Sequence, residues 1–308
     1  MAAIIRYGKA QVTVYRTYAQ PLTGLTPIRE SGFVGRDNTL FACEIDVEVY
    51  GDNFLPAYTH GDNSNVVATD TMKNFIMRMA LEYTGATLEG LLDFLGRSFL
   101  ATYPQMQSLR VSGQQVPFVA ARVPQNDATF GPSGVLFSRS HDDFASASLD
   151  IQRDGAATRV VAHRCGQQGL QLIKITGSSF TRFVRDAYTT LPERVDRPLF
   201  IYLDVYWKYA DAAHAIAPEP SHYVAAEQVR DLITAVFHEF VSMSIQHLVH
   251  EMGQRLLERF PQLAEVEFEA QNRLWDTANV SETDDRVKVY CDPRPPYGAI
   301  GLTLTRDV

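Results

Sequence analysis

The strongest constraint on the fold is an internal repetition along the 308 residues. Apolar residues that alternate with polar ones predict strands, and apolar residues at helical spacing predict helices. The order strand, strand, helix, helix is first found in segments 11–18 and 40–50, in a helix from about Asp70, and in segment 88–103. The same order recurs in segments 157–176, 199–209, 221–240 and 244–260. Corresponding elements lie roughly 155–160 residues apart, which predicts two halves of the same structure.

Further strand patterns complete each half. They lie at 108–111, 116–122, 134–140 and 144–153 in the first half and at 266–270 and 300–304 in the second. The order strand–strand–helix–helix–strand–strand favours an α+β fold, in which antiparallel sheets carry helices on one face. The turn signal Asp154-Gly155 places the boundary between halves 1–153 and 154–308. Since such sheets have unpaired edges, pairing of the halves and of several subunits would close them, so we expect an oligomer.

The ends of the second helix are marked in the sequence. Thr87 is a suitable N-cap residue, and Glu89 places a negative charge in the first turn. Pro104 cannot continue a helix. The pattern therefore predicts a capped helix between these residues.

Composition excludes several classes of protein. The formal net charge is −8, and there is no block of Lys and Arg, which argues against binding of nucleic acid or an anionic membrane. No run of 18 apolar residues predicts a membrane span. The three cysteines, Cys43, Cys165 and Cys291, are far apart and form no C-x-x-C pair. This favours a reducing cytoplasm over a disulfide scaffold or a zinc site.

A search for catalytic motifs gives no general answer. The chain has no Gly-rich nucleotide loop, no H-E-x-x-H zinc motif and no G-x-S-x-G elbow. His247 and His250 share a helix face, but no carboxylate cluster accompanies them, which favours surface or interface histidines over metal ligands. We therefore expect no bound metal.

One long segment resembles the signature of the urate oxidase family: Tyr58-Thr59-His60-Gly61-Asp62-Asn63-Ser64-Asn65, continuing through Thr69-Asp70 to Asn74. Further segments match the same family in the same order, namely Tyr7-Gly8-Lys9, 176–180, 185–193, Asp196-Arg197-Pro198, 242–247 and Gln271-Asn272. The resemblance covers essentially residues 5–305 and is of the bacterial type. It implies the tandem tunnelling fold (T-fold), two ββααββ halves whose copies assemble into a β-barrel tunnel, in agreement with the repetition.

The resemblance also implies a reaction. Urate, bound as an anion between subunits of a homotetramer, is oxidised by dioxygen and water to 5-hydroxyisourate, with release of hydrogen peroxide, in purine degradation. No metal, flavin or other cofactor is implied. Such chemistry needs a base, a planar clamp, an aromatic surface and a polar site for dioxygen or water.

By the same resemblance, Lys9 and Thr69 form the base. A hydroxyl is a weak acid, so a lysine of lowered pKa has to take its proton. Thr69 and Asp70 also suit the N-cap of the following helix. Both interpretations are compatible, because the positive end of a helix favours a bound anion.

The clamp is assigned to Arg197 and Gln246. A guanidinium fork matches two acceptors in the plane of a purine, and a carboxamide offers both a donor and an acceptor at the opposite edge. Phe180 would stack its ring on the purine.

The family also implies substrate contacts from Asp70, from the backbone N–H of Ile245 and from Asn272, which would hold dioxygen or water. Many members have a histidine soon after that asparagine, whereas this chain has Arg273-Leu274-Trp275. We hypothesise that a relay through Lys9, Thr69 and water replaces it.

Two alternatives stay open. Another T-fold enzyme could act on pterins, such as a cyclohydrolase, but that chemistry usually needs a zinc-binding Cys/His set, for which the cysteines are badly placed. A purine-binding homologue could have lost catalysis, but the chain keeps both Lys9 and Thr69.

Overall fold

The computed structural model describes residues 4–125, 129–139, 141–155 and 157–306. Among these described residues, the first half of the chain has six strands and three α-helices. In chain order these are β1 (Arg6–Thr17), β2 (Leu40–Tyr50), α1 (Leu55–Thr59), α2 (Thr69–Glu82), α3 (Leu88–Thr102), β3 (Ser108–Gln115), β4 (Phe118–Pro124), β5 (Phe130–Arg139) and β6 (Phe144–Asp154).

The second half has a matching series of elements. In chain order these are β7 (Ala157–Lys174), β8 (Leu199–Tyr209), α4 (Ala213–Ile216), α5 (Ala226–Glu239), α6 (Ile245–Arg259), β9 (Leu263–Leu274), β10 (Thr277–Val280), β11 (Lys288–Tyr290) and β12 (Arg294–Thr305). In each half, two strands, two long helices and two strands follow one another, and a two-stranded hairpin lies between the last two strands (β4–β5 and β10–β11). The predicted α+β class and the predicted repetition are confirmed.

The chain folds into two compact units. The first comprises Met1–Pro27, Phe33–Gly166 and Lys208–Ala225, and the second comprises Ile28–Gly32, Gln167–Trp207 and Ala226–Val308. Strand β7 contributes residues to both units.

In the first unit the strands are hydrogen-bonded in the order β1-β2-β3-β6, and the pairs β1–β2, β2–β3 and β3–β6 are antiparallel. Strand β2 shows why the sheet has one apolar face. Its alternate residues Cys43, Ile45, Val47 and Val49 are buried, as their alternation predicts. Helix α3 packs on β3 and β6, and α2 packs on β1.

The predicted ends of α3 are confirmed. Thr87 is its N-cap residue and accepts a hydrogen bond from the backbone N–H of Gly90 at 3.1 Å. The helix ends at Thr102, two residues before Pro104.

In the second unit the strand order is β7-β8-β9-β12, and β12 runs antiparallel to β9. Helix α6 packs on β9, on β12 and on α5. Its buried residues Leu248, Met252 and Leu256 recur at helical spacing and form the face that contacts the sheet.

The predicted start of helix α5 at residue 221 is wrong. Residues Pro220–His222 form a short 3-10 turn, and the α-helix begins at Ala226. The intervening Tyr223 has an extended backbone (ψ 136°). Tyr223 and Ala225 are buried in a small cluster with Leu22 and Leu25, so packing within the first unit overrides the helical pattern there.

No helix in the described ranges combines the length and the apolar character that crossing a bilayer requires.

Candidate active site

Lys9 lies in β1 opposite Val47 of β2, immediately before an irregularity in the pairing of the two strands. The register shifts between Lys9 and Val12, and Gln11 has a φ of 57°. The backbone N–H of Gln11 donates a 2.6 Å hydrogen bond to the side-chain oxygen Oδ1 of Asp46 in β2. Such a bulge redirects side chains at a sheet edge, and here it fixes the chain directly beside Lys9.

A cavity of about 540 Å³ lies along this part of the first unit. Its charged lining includes Arg6, which pairs with Glu48 at 3.1 Å, and Arg110, which pairs with Asp150 at 2.6 Å. Lys9 also lines the cavity, and its side chain forms no hydrogen bond or ion pair with any residue that the structure describes. Its ammonium group is therefore available to a ligand or to a proton-transfer partner.

Thr69 and Asp70 open helix α2, but neither is its N-cap. That position belongs to Ala68 (φ −57°, ψ 137°), which has no side-chain cap bond, so the predicted capping role of Thr69 and Asp70 is wrong. Both residues are in the first turn, where backbone N–H groups have no acceptor within the helix. Both are exposed. The first turn of α2 thus presents a hydroxyl and unpaired N–H groups at the positive end of a helix.

Asp70 is held by its own helix. Its carboxylate accepts hydrogen bonds from Lys73 Nζ at 2.6 Å and from Asn74 Nδ2 at 3.1 Å. The hydrogen bond and the charge of Lys73 hold the pKa of Asp70 below its ordinary value, and the charge of Lys9 contributes in the same direction. Lys9 lies in β1, the strand on which α2 packs, so its charge acts on the start of that helix.

In the second unit, a short backbone ladder places Phe180 beside Arg197. Phe180 exchanges two hydrogen bonds with Arg194, of 2.8 and 2.9 Å, and the N–H of Arg197 donates to the carbonyl of Ser178 at 2.8 Å. The guanidinium carbon of Arg197 consequently lies 5.5 Å from the centroid of the Phe180 ring. The structure thus brings together the predicted clamp arginine and the predicted stacking ring.

Asp196 fixes the turn that carries this ladder. It accepts hydrogen bonds from Thr176 Oγ1 and from the N–H of Gly177, both at 2.7 Å. The hydrogen bond from Thr176 is the main reason that the pKa of Asp196 is lowered. Gly177 has a φ of 81°, a conformation that a residue with a Cβ rarely adopts.

The Arg197 side chain is half-buried and incompletely paired. Its Nε atom is buried without a hydrogen-bond partner among the described residues. Burial also lowers the pKa of the guanidinium group. Since an unpaired buried donor is costly, this planar fork is suited to a ligand that supplies two coplanar acceptors.

Ile245 and Gln246 are the first two residues of α6. Ser244 caps the helix by accepting a 3.1 Å hydrogen bond from the N–H of His247. The preceding Ser242 bridges to Ser178, and its carbonyl accepts a hydrogen bond from the N–H of Ser179 at 2.8 Å. The segment that leads into α6 is thus attached to the Phe180 ladder. Ile245 is buried, whereas the Gln246 side chain is exposed.

Asn272 lies in β9 opposite Gly298 of β12, next to a register shift between Arg294 and Gly298. A Cβ at position 298 would lie 3.5 Å from that of Asn272, so the glycine leaves room beside the amide. No hydrogen bond or ring contact joins Asn272 to Phe180 or Arg197 within the described ranges. The structure therefore groups Phe180 and Arg197 with the start of α6, and Lys9 with the start of α2, but leaves Asn272 without a contact to either group.

Sequence reasoning missed two aromatic contacts around these residues. Phe183 stacks on Phe180, with ring centroids 4.9 Å apart and planes 13° from parallel. Arg273, noted in the sequence only for the absence of a histidine, contacts the rings of Tyr202 and Tyr297. The spacing of Phe180 and Phe183 in one short segment was an available signal. The second contact joins three strands distant in sequence and had no such signal.

Within the described part of the chain, no group of three or more His, Cys, Asp or Glu side chains is arranged to hold a metal ion. His247 lies at the start of α6, next to Gln246. Its ring packs against Phe240 at a centroid distance of 4.7 Å, and its Nδ1 accepts a long hydrogen bond from the N–H of Met243.

Two ββααββ series with antiparallel sheets define a protein of the T-fold class. Within its second unit, an arginine fork beside an aromatic ring is suited to a flat anionic ligand. The family model for Uricase matches residues 5–144 and 163–301. The chain belongs to the uricase family.

The similar proteins agree with this assignment. A Uricase from Halalkalicoccus jeotgali is 47% identical over 302 residues, which are 98% of each chain. A uric acid degradation bifunctional protein from Bacillus sp. TB-90 is 45% identical over 99% of this chain. This chain spans only 61% of that protein's length and 62% of the length of a similar Bacillus subtilis protein.

A crystal structure of urate oxidase from Bacillus sp. TB-90 superposes on this chain with a TM-score of 0.95 and 45% identity. The superposition covers 98% of this chain and 100% of that one. Both the resemblance seen in the sequence and the tandem T-fold that it implies are confirmed.

Proposed function

We propose that this chain is a urate oxidase. Urate, dioxygen and water give 5-hydroxyisourate and hydrogen peroxide: two electrons and two protons pass from urate and water to dioxygen, and one oxygen atom of water enters the product. The observation that carries the proposal is the half-buried Arg197 fork, with an unpaired Nε, beside the ring of Phe180. An oxidised purine anion supplies both the coplanar acceptors and the flat face that this pair requires.

Substrate orientation is assigned to the second unit. Arg197 would bind two acceptors at one edge of urate, and the exposed Gln246 carboxamide would bind a donor and an acceptor at the other edge. Phe180 would stack on the purine face. The N–H of Ile245, unpaired at the start of α6, would donate to a urate oxygen.

Proton removal is assigned to the first unit. The side-chain amine of Lys9, which has no hydrogen-bond or ion-pair partner among the described residues, would take a proton from the Thr69 hydroxyl, and that oxygen would take a proton from urate. The exposed first turn of α2 would stabilise the developing negative charge. Asp70, fixed by Lys73 and Asn74, would contact the substrate from the same turn.

The dioxygen or water site is assigned to Asn272, where Gly298 leaves space beside the amide. Since no histidine follows closely in the sequence, we assign the proton relay to Lys9, Thr69 and water. No cofactor is required in this scheme. A homotetramer with sites at subunit interfaces and a cytoplasmic location complete the proposal, both supported by the family resemblance.

Turnover under air without any added cofactor tests the function. The protein should remove the ultraviolet absorption band of urate and form one hydrogen peroxide per urate. Failure of metal-stripped protein to turn over would favour the pterin-type class of enzyme, and urate binding without turnover would favour a binding protein.

Two variants test the base. Lys9→Met and Thr69→Ala should each lower turnover by at least ~100-fold, as is typical for loss of a general base. Lys288→Met, which removes an exposed lysine of β11, is the matched control and should keep the wild-type rate. Near-normal rates for both site variants would eliminate the dyad.

A further inference from the structure

The ring of Phe180 is fixed by a second phenylalanine, and we infer that Phe183 is a positioning residue for substrate stacking. This inference rests on the proposed function, in which a purine lies on Phe180. It assigns to Phe183 no contact with the substrate. Its role is to hold the plane on which the substrate lies and to cover one face of that plane.

The backbone ladder alone cannot set the plane of the Phe180 ring. The hydrogen bonds to Arg194 fix the main chain on both sides of the residue. Rotation about χ1 and χ2 remains, and the ring is only half-buried, so no closed core restrains it. A side chain that has to present a flat surface to a ligand therefore needs a neighbouring group that selects one orientation.

Phe183 supplies that restraint. The two rings are stacked at a centroid distance of 4.9 Å with an interplanar angle of 13°. This is an offset-stacked arrangement, one of the two that aromatic pairs prefer. Because Phe183 covers one face of Phe180, a purine cannot stack on that face.

Cationic groups flank this pair. The guanidinium carbon of Arg185 lies 5.5 Å from the centroid of Phe183, and that of Arg197 lies 5.5 Å from the centroid of Phe180. Arg185 is also anchored by a hydrogen bond from Nη1 to the carbonyl of Leu191 at 3.2 Å. Cation–π attraction at these distances stabilises each ring in its position.

The chain between the two rings is itself constrained. Arg182 has a φ of 59°, uncommon for a residue other than glycine, and its N–H donates a 2.9 Å hydrogen bond to Glu193 Oε1. Glu193 directly precedes Arg194, the partner of Phe180 in the ladder. This sharp turn returns Phe183 over Phe180 three residues later in the chain.

The inference predicts a specific kinetic pattern. Stacking on Phe180 stabilises bound urate as well as the transition state. Loss of the Phe183 restraint should therefore change the KM for urate more than it changes kcat. Phe183→Leu should raise the KM for urate about fivefold to tenfold and change kcat less than twofold. Phe183→Tyr keeps the ring and should stay within twofold of wild type in both constants.

Binding of xanthine, an oxopurine without the C8 oxygen of urate, measures the same effect without turnover. Isothermal titration calorimetry should give a Kd about fivefold to tenfold higher for Phe183→Leu than for wild type. Arg185→Gln, which leaves both rings in place, should give a smaller increase of about twofold. If Phe183→Leu does not fold, the Kd of Arg185→Gln still tests whether the stack of Phe183 on Phe180 supports binding.

The outcomes separate the two proposals. Unchanged KM and Kd for Phe183→Leu, with an unchanged thermal midpoint, would overturn the positioning role while urate oxidation stands. An equal loss in Phe183→Tyr and Phe183→Leu would also overturn it, because the ring would then not matter. If wild type binds xanthine more tightly than Phe183→Leu, as expected, but does not oxidise urate, the proposed function alone is overturned.

Discussion

The guanidinium carbon of Arg273 lies 4.2 Å from the ring centroid of Tyr297. The same atom lies 4.3 Å from the ring centroid of Tyr202. Since β9 is hydrogen-bonded between β8 and β12, one arginine contacts an aromatic ring from each neighbouring strand. The contact spans three strands at the end of β9 that carries Asn272.

Replacement of Arg273 by lysine should destabilise the second unit. Lysine keeps the charge but loses the flat guanidinium surface that stacks on tyrosine, and each cation–π contact contributes about 0.5–2 kcal/mol. We expect Arg273→Lys to lower the thermal midpoint by several degrees in differential scanning calorimetry. Arg286→Lys, at a side chain that is 86% exposed, should leave the midpoint unchanged. Equal midpoints for both variants would show that the two rings contribute nothing.

Gly8 allows β1 to approach β2 just before Lys9. A Cβ at this position would lie 1.8 Å from the carbonyl oxygen of Val47, a distance that requires the backbone to move. Gly8→Ala should therefore lower both stability and the turnover that depends on Lys9, by displacing the strand that carries the ammonium group. The measurements are the thermal midpoint and urate turnover.

Gly134→Ala is the matched control for that variant, since Gly134 also lies in a strand and a Cβ there meets no atom within 4 Å. Its midpoint and its turnover should equal those of wild type. If Gly8→Ala also behaved as wild type, the close approach of the two strands would not limit the position of Lys9.

Most of the fold could be predicted because its signals are local. The alternation in β2 gives the buried face directly, and the cap at Thr87 is a property of one helix end. The start of α5 could not be predicted from its helical pattern, because Tyr223 and Ala225 are buried against residues some two hundred positions earlier in the chain. That packing is tertiary, and no local pattern contains it.

The candidate site could likewise be predicted only in part from the sequence. The family resemblance pointed to Arg197 and Phe180, and a ladder of three backbone hydrogen bonds brings them together. The capping assignment of Thr69 and Asp70 was wrong because the chain enters α2 one residue earlier, at Ala68. The stacking of Phe183 depends on an unusual φ at Arg182, which the residue type does not indicate.

Arg197 should not tolerate lysine. Its Nε is buried without a partner in the described structure, and a lysine ammonium cannot offer two coplanar donors. Arg197→Lys should raise the KM for urate by at least ~10-fold, the effect of losing about 1.4 kcal/mol of binding. Arg78→Lys, in an exposed ion pair on α2, should keep the wild-type KM. A wild-type KM for Arg197→Lys would exclude a bidentate clamp.

Glu89 makes the stability of the folded protein depend on pH. Its carboxylate is buried in the first unit and accepts a 2.9 Å hydrogen bond from the Tyr223 hydroxyl. Burial raises the pKa of Glu89 above the ordinary value of 4.5, despite the opposing hydrogen bonds. The folded protein thus holds this proton more tightly than the unfolded chain does.

The sign of the effect follows from proton linkage. Where the folded state binds more protons than the unfolded state, stability falls as pH rises, here from about 4.5 until the raised folded pKa of Glu89 has been passed. Glu89→Gln removes this titration but keeps an acceptor for Tyr223. The thermal midpoint of Glu89→Gln minus that of wild type should therefore increase as pH rises through this window and then level off, as scanning calorimetry from pH 4 to 9 would show. Glu82→Gln, at an exposed residue of α2, should give no such increase. A difference for Glu89→Gln that stayed constant or decreased with pH would mean that Glu89 is ionised at least as readily in the folded protein as in the unfolded chain.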